Sequence, residues 1–143
     1  MINFLSGINS TSSALNAERI RMEVISQNIA NANTTHDVDG KPYQRQQVVF
    51  EKVFNQHFGS PGFGAAETSV QVARIEKDHR APNLVFNPGH PDADANGMVA
   101  MPNISIHEEM ADLIVSSRAF EANLAVVRNA RTLAVQTLAI GKR

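Results

Sequence analysis

The run Asp92-Ala-Asp94-Ala-Asn96-Gly97 sets oxygen-bearing side chains at the first, third and fifth positions of a turn closed by glycine, as the opening half of a helix-flanked calcium loop does. Such a loop ends on a bidentate Glu at its twelfth position, and Asn103 stands there instead. The flanks, PGHP and MVAMPN, are turn-like and strand-like rather than helical. The competing reading is a polar turn in which Asp and Asn bond their own backbone. His90 lies two residues before Asp92. However, His36, His57, His79, His90 and His107 show no His-x-x-x-His spacing, and HEEM at His107 lacks the second His of a zinc-protease helix. The chain has 0 cysteines, which removes thiolate nucleophiles, thiolate metal sites and disulfides. No serine-hydrolase elbow, phosphate loop or dinucleotide fingerprint occurs. No nucleophile–base pair emerges, so the sequence reads as a non-enzyme with no catalytic residue, no metal site and no cofactor. A calcium-binding or adhesive module built on the Asp92 loop is the alternative from another functional class.

Two further groups of polar residues invite attention. Asn28, Asn31 and Asn33 crowd one short stretch, where Asn tolerates a left-handed helix stop and bonds nearby backbone. Capping and turn-making suffice for Asn33. Asn28 and Asn31 are also able to bond a neighbouring subunit, and for Asn28 an inter-helix hydrogen bond competes with solvation. Arg118, Arg128 and Arg131 fall in the last segment, where they serve solubility and local pairing, or else registration of neighbours and lining of a channel.

The elements that must carry these residues divide the chain into three. Residues 1–35 lack Pro and are rich in helix formers. Ile8, Leu15, Met22 and Ile29 recur at sevens, and Ile25 and Ala32 fall three positions after two of them, which makes a heptad seam interrupted by Thr11 and Glu18. Residues 105–143 open on Ser105 and Glu108, the spacing of a capping box. Ile106, Leu113, Phe120, Val127 and Ala134 follow at sevens, and Met110, Leu124 and Leu138 fill the alternating row, with Ser117 and Arg131 as polar exceptions. Gly141 suits a helix stop, and Lys142 and Arg143 suit the negative end of the dipole. Residues 36–104 are punctuated by Gly and Pro. There QVVFEKVF, SVQVARIE, NLVF and GMVAM read as short strands in an insert too small for much stability alone. The fold class is therefore mainly α with a small β-rich insert, the long end helices pairing as a coiled coil.

Composition narrows the function. With 13 Lys+Arg against 14 Asp+Glu, the net charge of −1 offers no field for nucleic acid and no patch for an anionic membrane. No apolar run reaches transmembrane length, so direct membrane insertion is not expected. The first basic residue is Arg19, and Ser, Asn and Thr interrupt the start, so a cleaved signal peptide is not expected either. The end helices are apolar around too much of their circumference for one small chain to cover. Ile114, Val115, Val126, Val135 and Ile140 lie off the seam, and between residues 123 and 141 the only charges are Arg128 and Arg131. Such helices need neighbours on several sides, which points to an assembly subunit.

Three blocks, in order, resemble the bacterial flagellar rod and hook axial family. SQNIANANTT at residues 26–35 is similar to its N-terminal signature, and EEMADLIVSSRAFEANL to its C-terminal one. The contexts NTTHDVDGKPYQRQ, with Pro42 and Tyr43, and NPGHPDADANGMVAMPN resemble proximal rod subunits of the FlgC type. Residues 54–68 are the least family-like. The resemblance implies a structural subunit of the basal-body rod, the drive shaft that carries torque to the hook, with both end helices around a central export channel. It implies export through the flagellar apparatus without a cleaved signal. The implied location is the periplasm-spanning rod. The implied partners are copies of itself, other rod proteins, ring and adaptor proteins and the export apparatus. Another rod or hook subunit remains the alternative. The assembly surface is then expected along Ile8, Leu15, Met22, Ile25, Asn28, Ile29 and Asn31 of the first helix. On the second it is expected along Met110, Leu113, Phe120, Leu124, Val127 and Leu138.

Overall fold

The computed structural model describes residues 2–37, 39–55 and 67–141. Its element order is helix, four strands, helix: α1 Ile2–Ala30, β1 Gln46–Asn55, β2 Glu67–Lys77, β3 Asn83–Phe86, β4 Met98–Met101 and α2 Ile106–Ile140. Two long helices therefore flank a small β-rich middle. The four strands coincide with the four short runs read from the sequence. The Gly- and Pro-rich stretch 56–66, Lys142 and Arg143 lie outside the described residues.

The strands form two separate antiparallel hairpins. In the longer one Gln46 faces Lys77 and Asn55 faces Glu67, with a register shift between Val49 and Phe50. The extra residue at that bulge bends and twists the ribbon. In the shorter one Asn83 faces Met101 and Phe86 faces Met98. Gly97 sits at φ +74 just before β4, a conformation that an L-residue enters at a cost, and a Cβ there would lie 3.0 Å from the Phe86 ring. The α1 helix packs against α2 and also against both strands of the longer hairpin.

The 35 residues of α2 span about 50 Å at the usual helical rise. Ser105 caps its start: extended backbone at φ −92 and ψ 106 lets its hydroxyl accept from the Glu108 amide at 3.5 Å. Gly141 ends it in the right-handed region at φ −74, its amide bonding Thr137 O at 3.1 Å. The left-handed freedom of glycine is thus not used at this stop. Asn28 pairs with Glu109 and Arg21 approaches Asp112, so the helices run antiparallel and the start of α2 lies beside the end of α1.

Burial revises the predicted seams. Among the described residues the buried apolar set is small: Ala17, Val24, Ile25, Ala32 and Val99. On α1, Ile25 and Ala32 are interior as expected. The other fully buried positions are Ala17, Val24 and Asn28, whereas Ile8, Leu15, Met22 and Ile29 are half-buried. On α2 the row Leu113, Phe120, Val127 and Ala134 is half-buried. The companion row is Glu109, Ser116, Asn123 and Ala130, one residue earlier than the expected Met110, Ser117, Leu124, Arg131 and Leu138. Glu109 and Ser116 are 1% and 0% exposed, and Met110 and Leu138 are 51% and 69% exposed. Both rows have regular 3–4 spacing. Glu109 turns inward because its carboxylate has partners on the facing elements; Ser117 and Leu124 of the expected row are half-buried like Asn123, so the apolar pattern misses Glu109 and Ser116 rather than the whole inward face.

Candidate functional site

A buried polar cluster lies where the end of α1, the loop before β1 and the first turn of α2 meet. Asn28 lies on the last turns of α1 and is 1% exposed. Its Nδ2 donates to Gln46 O at 2.8 Å and to Glu109 Oε2 at 3.0 Å. Its Oδ1 accepts from the Gln46 amide at 2.9 Å and from the Tyr43 hydroxyl at 3.2 Å. A side-chain amide has two donors and two lone pairs, and all four are engaged. Glu109 is equally buried, and its Oε1 accepts from Arg45 Nε at 2.6 Å. A carboxylate taken out of water needs such charge-assisted bonds, since an unpaired one would cost several kcal/mol. Burial of the phenol raises the Tyr43 pKa above its ordinary value, and the nearby Asp37 and Glu109 carboxylates push it the same way. The cluster joins three elements that are far apart in sequence. It holds the start of β1 against α1 through both backbone groups of Gln46.

Asn31 acts locally. Its Nδ2 donates to Gln27 O at 2.9 Å and its Oδ1 accepts from the Thr34 hydroxyl at 3.2 Å, closing the turn after α1. Asn28, by contrast, makes the inter-helix hydrogen bond, and makes it within its own chain. Both Asn28 and Ile25 are enclosed by the subunit's own elements, so neither offers surface to a neighbour in this conformation.

The Asp92 loop is turn chemistry. Asp94 Oδ1 accepts from the amides of Asn96 and Met98, each at 2.8 Å. Asp92 takes the Thr35 hydroxyl at 2.7 Å, which ties the loop to the segment after α1. Its own amide donates to His90 Nδ1 at 3.1 Å, and His36 Nδ1 approaches its carboxylate at 3.4 Å. The Thr35 hydroxyl, with His36 and His90 beside it, lowers the Asp92 pKa below its ordinary value. Among the described residues no group of His, Asp or Glu is gathered to hold a metal ion. A cleft of about 160 Å³ lies between Tyr43, Arg45, Arg80 and Pro102, too small for a drug-sized ligand.

The surface is apolar where a lone subunit would be polar. On the last third of α2, Leu133, Val135, Leu138 and Ile140 are 58%, 60%, 69% and 77% exposed. Further back, Ile114, Val115 and Val126 are more than half exposed. All four residues of β3 are exposed. Among the expected assembly positions, Met110 and Leu138 are exposed, and Leu113, Phe120, Leu124 and Val127 are half-buried. No described helix is long and apolar enough to cross a membrane.

Sequence reasoning missed Arg45, Gln46 and Glu109 and gave Tyr43 no role. The available signal was Tyr43 itself, the single tyrosine, placed after Pro42 between the Asn-rich helix end and the first strand.

Comparison with known proteins agrees with this anatomy. Residues 8–35 match the family described as flagella basal body rod protein. Residues 95–140 match the family described as flagellar basal body rod FlgEFG protein C-terminal. The matches cover α1 with its Asn-rich end, and β4 with α2, so they enclose both halves of the Asn28–Glu109 cluster. The flagellar basal-body rod protein FlgC of Borreliella burgdorferi is 40% identical, over 97% of this chain and 98% of the relative. That of Bacillus subtilis is 38% identical, over 94% and 96%. That of Salmonella typhimurium is 38% identical, over 91% and 92%. With similarity at this level over nearly the whole length, the chain belongs to the FlgC family of flagellar basal-body rod proteins.

Proposed function

We propose that the chain is a structural subunit of the proximal flagellar rod. Its end helices, paired as a coiled coil, pack against copies of itself and related rod proteins around an export channel. In that role it passes torque toward the hook. It meets ring and adaptor proteins at its outer surface and leaves the cytoplasm through the flagellar export apparatus. The observation that carries this reading is the row of exposed large apolar side chains on α2, from Val126 to Ile140. A helix packed only within its own subunit would show a charged back at those positions. Each such side chain, once buried by a neighbour, contributes about 1.5–3 kcal/mol, and the gain recurs in every subunit.

Deleting the chain from Thr132 onward tests it. The deletion removes Leu133, Val135, Leu138 and Ile140 and spares the Asn28–Glu109 cluster at the other end of the helix pair. The expected result is a soluble chain with near-native strand signal in circular dichroism that builds no rod in a strain lacking the native protein. A truncated chain that still builds a working rod would overturn the proposal.

A further inference from the structure

The turn before β4 carries a reactive pair that the rod reading does not use. Asn96 is the one asparagine of the sequence that is followed by glycine. A glycine there leaves the next backbone nitrogen unscreened by any Cβ, so that nitrogen is able to reach the asparagine side-chain carbon. Asn96 is exposed in the loop between β3 and β4. Gly97 is not exchangeable. It sits at φ +74, and an added Cβ would lie 3.0 Å from the Phe86 ring and 3.1 Å from Pro88 Cβ. The turn therefore keeps the pair as a condition of its own geometry.

The folded turn also restrains it. The Gly97 N–H donates to Asp94 O at 2.9 Å, and Gly97 O accepts from the Asn87 amide at 2.9 Å. The amides on either side of the reacting one, of Asn96 and Met98, both donate to Asp94 Oδ1 at 2.8 Å. Attack requires the Gly97 nitrogen to give up its proton and turn toward Asn96 Cγ. With these bonds closed it is held on Asp94 instead, so reaction waits for local opening of the turn.

We propose that Asn96 is a covalent modification site, deamidated by the Gly97 nitrogen when the turn opens and kept silent by Asp94 while it is closed. The Gly97 nitrogen bonds to Asn96 Cγ, its proton leaves with the side-chain nitrogen as ammonia, and a succinimide ring closes. Water then opens the ring at one carbonyl or the other, leaving aspartate or isoaspartate at position 96. Water is the only co-reactant. Either product adds a carboxylate beside Asp94. Isoaspartate also adds a methylene to the backbone between the two amides that Asp94 Oδ1 holds, which disturbs the start of β4 next to the buried Val99. The modified fraction thus records how long the turn has been open. The proposal is independent of the rod reading.

The test incubates the purified full chain in mildly alkaline buffer, folded and in urea, and follows each asparagine by fragmentation mass spectrometry. In urea Asn96 is expected to convert before every other asparagine, and Gly97→Ala to slow that conversion many-fold. Because the urea arm has no fold to lose, Gly97→Ala is read there without ambiguity. In the folded chain conversion is expected to be at least roughly tenfold slower than in urea, since opening must come first. Folded Asp94→Ala should convert several-fold faster than the native chain, and Asp94→Asn, which keeps an Oδ1 acceptor, should stay slow. Conversion in urea no faster at Asn96 than elsewhere would overturn the site. Equal rates for the folded and unfolded native chain would overturn the guard. A natively folded Asp94→Ala that converts as slowly as the native chain would overturn the part given to Asp94.

Discussion

Replacement of Asn28 by Ala strips partners from the Gln46 amide, the Gln46 carbonyl and Glu109 Oε2, all at the buried centre. Each buried group left unpaired costs about 1–3 kcal/mol, more when charged, so Asn28→Ala is expected to lower unfolding free energy by roughly 3 kcal/mol. The isosteric Asn28→Asp separates bonding from packing. It sets a carboxylate against Glu109 and the Gln46 carbonyl, so it should be at least as damaging at neutral pH and recover as acid protonates it. Urea melts of the two variants across pH would show this, and a pH-independent Asn28→Asp defect would count against the bonding account. Tyr43 gives a direct optical readout, being the only tyrosine in a chain without tryptophan. Its folded pKa is raised, so the stability linked to its neutral hydroxyl is complete below the unfolded value near 10 and is lost as pH rises through the folded value. The tyrosinate absorbance of the folded chain should therefore rise at higher pH than that of the urea-unfolded chain. Coincident curves would mean that the phenol is not held in the cluster. Asp92 works in the opposite direction. Its lowered folded pKa makes its contribution present above the unfolded carboxylate value and lost only as pH falls through the lower folded value, so the Thr35 tether should outlast carboxylates of ordinary pKa in acid.

The two helices and four strands were legible because their signals are local. Ser105 and Glu108 mark a helix start, β-branched runs mark strands, and Gly and Pro separate them. Which row of α2 faces inward was not legible. Leu113, Phe120 and Val127 are shared by two equally regular 3–4 patterns, and the apolar choice of Met110 and Leu138 is the exposed one. The structure instead buries Glu109 and Ser116, and only the distant Asn28, Arg45 and Gln46 explain why Glu109 is tolerated there. Periodicity along one helix carries no information about donors on another element. Ser116 exposes what this choice costs, because its hydroxyl is fully buried and has no hydrogen-bond partner among the described residues. Ser116→Ala removes an unsatisfied polar atom and improves helix propensity while deleting little volume. It is expected to stabilise the chain by about 1 kcal/mol, read as a higher urea midpoint at unchanged slope. A lower midpoint would show that the hydroxyl does find a partner in solution.

Across the whole molecule, apolar surface falls into two sets with different consequences. One is covered by the chain itself, with Val24, Ile25 and Val99 buried and Phe120 half-buried. The other is left open on α2, with Leu133 58% and Leu138 69% exposed. Substitutions should separate accordingly. A fully buried Phe truncated to Ala costs about 3–5 kcal/mol, so a half-buried Phe120→Ala should cost about 2 kcal/mol in the isolated subunit. The pair Leu133→Gln/Leu138→Gln keeps good helix formers at exposed positions and should change subunit stability by no more than about 0.5 kcal/mol. In the rod the order should reverse. The Gln pair removes apolar burial and adds uncompensated amides at every contact between subunits, whereas Phe120→Ala weakens a contact that each subunit already makes internally. The measurement is urea unfolding of each purified variant set beside motility in cells carrying it. A stable Gln pair with lost motility, and a weakened Phe120→Ala that retains some, would separate the folding surface from the assembly surface. Equal losses of stability in both would mean that the tail of α2 is held by its own subunit, and the physical argument for assembly through it would fail.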